Sequence, residues 1–69
     1  MKVTYDAGLD VLRIVLSDAP IAESDEEKPG TILDYAQDGS VVGLEILDAS
    51  KHVSKPAEVD YAVVGLKSA

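Results

Sequence analysis

Cysteine, phenylalanine and tryptophan are all missing from these 69 residues, and histidine occurs once. The lack of cysteine closes the disulfide route and any thiolate zinc site, and His52 alone cannot supply a histidine-based one. It also fits a reducing compartment. A chain this short buries only ~60% of the surface its unfolded form exposes, so it leans on a disulfide, a metal or a partner subunit. With the first two closed, association remains. Three tyrosines and no other aromatic leave no stacking platform for single-stranded nucleic acid. Basic residues are scarce too, 6 against 13 acids, for a net charge of −7. Such a surface repels phosphate backbones and anionic lipid, which argues against nucleic-acid and membrane binding. It suits docking on a basic protein, or simply keeps the domain in solution.

No apolar run approaches the ~20 residues of a membrane span. Met1-Lys2 leads straight into Val3-Thr4-Tyr5-Asp6 without the apolar core of a secretory leader, so a cytoplasmic location is expected. Phosphate-binding glycine patterns and the calcium-loop pattern are absent, and Glu23–Glu27 offers no glycine turn to wrap an ion. No cofactor or metal is expected.

What is present is period-two alternation cut by turn residues, in a chain 46% hydrophobic and so too apolar for a disordered acidic tail. It predicts one domain over residues 1–69 that is mainly β and borders on α+β: an antiparallel meander of about five strands. Lys2–Asp6 alternates, and Asp6-Ala7-Gly8 turns the chain. Asp10–Leu16 carries Leu12, Ile14 and Leu16 on one face and Val11, Arg13 and Val15 on the other. Pro20 breaks the pattern before Ile21–Glu27, whose acids suit an edge strand. Pro29-Gly30 fits a type II turn, Thr31–Ala36 resumes the alternation, and Gln37-Asp38-Gly39-Ser40 signals a hairpin. Val41–Leu47 is the most apolar strand. Asp48 then fits the N-cap of a short helical turn near 48–53, with His52 solvated at its end. Val59–Leu66 matches both a strand and a helical stripe, and its β-branched residues favour the strand.

Two strands, 10–16 and 41–47, are apolar on both faces, beyond what a meander with one wet face requires. Either the C-terminal segment covers the second face or another subunit does. A homodimer is therefore expected, with Val11, Arg13, Val15, Asp34, Tyr35, Val41, Glu45 and Leu47 as candidate interface or ligand contacts. Arg13 and Glu45 can pair across the sheet for about 0.2–1 kcal/mol if their strands are neighbours. Gly43 marks a bulge or the close approach of another backbone.

No catalytic constellation emerges. The single histidine lies among lysines, which disfavours a nucleophile–base pair. Asp34 and Glu45 flank the 37–40 hairpin and could act as paired carboxylates, or they are outward residues of alternating strands. Two functional classes follow: an interaction module that docks on a basic protein, or a small enzyme or ligand-binding protein using carboxylates at a dimer interface.

Several stretches together carry a family resemblance: Met1-Lys2-Val3-x-Tyr5-Asp6, Asp10–Ile14, Glu23-Ser24, Ile32–Tyr35, Asp38-Gly39 and above all Val42-Gly43-Leu44-Glu45-Ile46-Leu47-Asp48-Ala49-Ser50. Over residues 1–52 the chain resembles domain-of-unknown-function family 2283. The resemblance implies a small bacterial or archaeal protein without assigned activity. It further implies an acidic, antitoxin-like role beside a small basic, ribonuclease-like protein. Ala36 stands where many members carry a further acid, and residues 53–69 match no family pattern.

Overall fold

Up to Leu47, alternating apolar and polar residues form strands where the sequence predicts them, and turn residues separate them. The computed structural model describes residues 1–67. Its strands are β1 (Lys2–Asp6), β2 (Val11–Val15), β3 (Glu23–Lys28), β4 (Thr31–Tyr35) and β5 (Val41–Leu47), followed by one 3-10 turn at Ala49–Lys51. All pairings are antiparallel in one sheet of order β1-β2-β5-β4-β3. The mainly β, five-stranded antiparallel fold is as expected. The order departs from a chain-order meander at one place, because β2 takes β5 as its neighbour instead of β3. Two strands as apolar as these gain most from the centre of the sheet, and acidic β3 is left at the edge.

Strand ends shift for local reasons. Asp10 leaves β2 because it adopts a left-handed backbone, φ 57, which aspartate tolerates better than most residues. Ile21 and Ala22 belong to the β2–β3 connection, so β3 starts two residues later than expected and runs on to Lys28. Tyr35 ends β4, one residue short of Ala36. Gly30 takes the positive φ, 82°, that the third residue of a type II turn requires.

Register sorts the side chains. One face carries the row Val3–Ile14–Leu44–Leu33 and beside it Tyr5–Leu12–Ile46. The other carries Thr4–Arg13–Glu45–Ile32, then Val15–Gly43–Asp34–Ser24, with Val11 opposite Leu47. Only Asp34, Val42, Gly43 and Ala49 are buried among the described residues. The remaining apolar side chains of the central strands are at best half-buried, since a single layer shields them only with one another.

Two expectations fail at the C-terminal side. Asp48 is not a side-chain cap: it stands in the left-handed region, φ 50 and ψ 46, with no capping hydrogen bond from its carboxylate. Asp10, 38 residues earlier, takes that role. Its carbonyl accepts from Ala49 N (2.9 Å) and its carboxylate from Ser50 N (2.9 Å), Ser50 Oγ (2.7 Å) and Tyr5 Oη (2.8 Å). This joint fastens the β1–β2 turn to the end of β5. The second failure is Val59–Leu66, which forms neither strand nor helix and is exposed throughout. Its β-branched residues disfavour an isolated helix, and a lone strand has no partner for its backbone. The C-terminal segment therefore does not cover the sheet.

Hydrogen bonds from Ser50 and Tyr5 hold the Asp10 carboxyl below its ordinary value. A carboxylate with a lowered pKa stabilises the fold above its unfolded value and loses that contribution as pH falls through the folded value. Asp10→Asn is expected to lower the thermal midpoint at pH 7 and to flatten the loss of stability below about pH 4, as read by circular-dichroism melts from pH 2 to 7.

Candidate functional site

The most organised polar cluster lies on the sheet face away from the Leu12–Ile46 row. Arg13 and Glu45 are direct cross-strand partners, and the guanidinium Nη1 lies 3.6 Å from Glu45 Oε1. The same nitrogen lies 3.5 Å from Asp34 Oδ2, one row further along. Ser24 Oγ donates to Asp34 Oδ1 at 2.5 Å from the register position opposite. One cation is thus shared by two carboxylates, and a hydroxyl satisfies the more buried one.

Gly43 makes this possible. It pairs with Asp34 on one side and Val15 on the other, and a methyl group there would come within 3.0 Å of Asp34 Oδ2 and 3.2 Å of the Ile14 carbonyl. The aspartate carboxylate occupies the space a side chain would fill. The ladder is irregular at this point, with the register shifting between Asp34 and Tyr35 so that Val42 bulges from β5. Leu16 N and Ser17 N both donate to the Val42 carbonyl, at 2.8 and 3.2 Å. From there the β2–β3 connection crosses the same face and forms a hollow of about 350 Å³ with Arg13, Val15, Asp34 and Gly43. That crossing leaves Asp34 only 5% exposed. The reading of Asp34 as an outward residue does not hold.

Of the candidate contacts, Arg13, Asp34 and Glu45 come together, and Val11, Val15 and Leu47 flank them half-buried on the same face. Tyr35 and Val41 do not join them. Tyr35 follows Asp34 in the strand, so it leaves the sheet on the opposite side, where its hydroxyl donates to Glu27 Oε1 at 2.6 Å. That bond, partial burial, and the charges of Glu27, Asp25 and Glu23 push the Tyr35 pKa up to about 12. Val41 lies opposite Tyr35 at the start of β5, 39% exposed. Sequence reasoning overlooked Ser24. Its signal was being the one uncharged residue of β3.

Chemically the cluster is half compensated, with two carboxylates to one cation. Asp34 and Glu45 share Arg13, Tyr35 holds its proton far above neutrality, and His52 lies at the end of the 3-10 turn. Among the described residues no group of three or more His, Cys, Asp or Glu is placed to hold a metal ion. No helix among them is long and apolar enough to cross a membrane. The densest run of acids lies on edge strand β3, where Glu23, Asp25, Glu26 and Glu27 are all exposed.

Fold and site together define a class: a small open antiparallel sheet with two carboxylates sharing one guanidinium on one face and an acidic edge. Residues 2–50 match the family described as "Protein of unknown function (DUF2283)", and the chain belongs to that family. The matched region spans all five strands and ends at Ser50, the residue that bonds Asp10. No curated protein and no solved structure matches the chain.

Gly43→Ala is expected to destabilise the fold by about 1–3 kcal/mol, through overpacking against Asp34 and the Ile14 carbonyl. Arg13→Ala is expected to lose a similar amount, about 1–3 kcal/mol, by leaving the Asp34 charge buried without its cation. Urea unfolding followed by circular dichroism measures both. Wild-type midpoints in either variant would mean that the cluster is ornamental to the fold.

Proposed function

We propose that this protein is an interaction module that works as a homodimer, its apolar sheet face covered by a second copy, and whose acidic edge docks a basic protein. One observation supports the first half: among the described residues the sheet has no second layer. The chain exposes 5428 Å², whereas a compact protein of its mass exposes about 4,200 Å². Its radius of gyration is 14.0 Å, against about 11 Å for a compact domain of this length. The excess surface, roughly 1,200 Å², is shared between the uncovered sheet and the exposed residues 57–67. The row Val3–Ile14–Leu44–Leu33 lies in that exposed layer, and half-buried leucines and isoleucines gain about 25 cal/mol for each Å² removed from water.

Charge supports the second half. Residues 1–50 hold three basic residues, Lys2, Arg13 and Lys28, against eleven acids. Four of those acids fall within β3, at an open edge. An acidic strand of this kind discourages strand addition and attracts a complementary basic surface. The antitoxin-like pairing with a small basic protein that the family resemblance implies would use this edge. The alternative, a carboxylate enzyme or ligand-binding protein at a dimer interface, has the Asp34–Glu45 pair with one shared cation, but Tyr35 points to the other face and bonds Glu27 instead.

Light scattering on a size-exclusion column tests the dimer. A mass of twice the 7.3 kDa of one chain, held on dilution to micromolar concentration, is expected; a 7.3 kDa species at every concentration overturns the reading. For the edge, capture from the native host with wild type and with Glu23→Lys/Asp25→Lys should retain a basic protein only on the wild type.

A further inference from the structure

The segment Val59–Leu66 is the most apolar exposed stretch of the molecule. Tyr61 is 73% exposed, Val64 88% and Leu66 82%, and no residue from 57 to 67 has regular structure. Exposing this many large side chains on a 69-residue protein has no counterpart in solubility. Val59, Tyr61 and Val63 alternate with Asp60 and Ala62 as a strand with one apolar face would. In the single chain the segment docks on neither edge of its own sheet, so what orders it lies outside the chain.

We infer that Val59–Leu66 of one copy adds to the β1 edge of a second copy as a sixth antiparallel strand, reciprocally in the homodimer. The inference rests on the self-association proposed above and goes beyond it by naming the exchanged element. Two edges are open, β1 and β3. The acids of β3 would stand beside valine and tyrosine side chains, an unfavourable juxtaposition. β1 carries one base and one acid, Lys2 and Asp6, and presents Val3 and Tyr5 on the apolar face. Val59, Tyr61 and Val63 would continue that face by one strand. Backbone groups on the outer side of β1 gain partners, and so do those of the segment.

Length agrees, and the segment's single charge, Asp60, meets one base and one acid in β1 instead of the four acids of β3. Eight extended residues span about 26 Å, enough for all five residues of β1. Reciprocal exchange about a twofold axis closes the assembly and leaves no free apolar segment.

Amide hydrogen exchange by NMR on the full chain, at several concentrations, tests this with the double variant Tyr61→Pro/Val63→Pro. Proline removes two donors from the added strand, and both positions are exposed without regular structure, so β2 and β5 amides serve as the internal check that the sheet still folds. In the wild type, the outward amides of β1 are expected to be protected, increasingly so with concentration. The variant is expected to lose that protection and to dissociate roughly tenfold or more readily. Fast β1 exchange in a wild-type protein that still has doubled mass overturns the exchange and leaves self-association standing. Concentration-independent protection in a monomer overturns both.

Discussion

The pairing of β2 with β5 is the constraint on which the rest of this molecule depends. It joins two units that are otherwise local, the β1–β2 hairpin and the β3–β4–β5 run, across a sequence separation of about thirty residues. The loop-closure cost of such a contact must be met by what the seam itself provides. On one face it provides Leu12 against Ile46 and Ile14 against Leu44. On the other it provides the Arg13–Glu45 pair and, over Gly43, the reach of the same guanidinium to Asp34. Because β5 occupies the place beside β2, the connection to β3 must cross the sheet, and that crossing buries Asp34. At the far end, Asp10 ties the β1–β2 turn to Ala49 and Ser50. The chain is thus pinned at both ends of its central strands by aspartates whose partners are distant in sequence.

This arrangement explains why so small a protein can hold a defined sheet yet remain incomplete. Polar links fix the register, but they do not remove apolar surface from water, and among the described residues the elements pack on one another only as neighbouring strands of the sheet. A slab whose shortest dimension is 18 Å offers one layer where stable domains have two. In the proposed dimer a second copy would supply the missing layer, with acidic β3 at the border of the paired face, where Asp25 stands opposite Leu33.

Much of this was legible in the residues. Period-two alternation located all five strands, and β5 to the residue, because its two-sided apolar character leaves no other reading. The cross-strand pairing of Arg13 with Glu45 and the close approach at Gly43 were also legible, since a charge pair and a missing side chain point to the same strand contact. Strand order was less so: alternation tells which face a residue takes, not which strand lies beside it. The burial of Asp34 depends on that order and on the path of residues 16–22, so local pattern could not show it. Asp48 looked like a cap because its residue type and position suit one, whereas Ser50 N donates to the Asp10 carboxylate and Lys51 N to the Asp48 carbonyl. Val59–Leu66 was ambiguous between strand and helix for a physical reason: the isolated chain gives it no surface to choose by.

The most direct test of this account is an isotope-filtered NMR experiment on a mixture of labelled and unlabelled protein. Intermolecular contacts are read from the methyl groups of Leu12, Ile14, Leu33, Leu44 and Ile46. If the uncovered sheet face is the seat of self-association, these methyls show contacts to the unlabelled copy. If they show contacts only within their own chain and remain open to water, the face is not an interface, and the account fails at its centre.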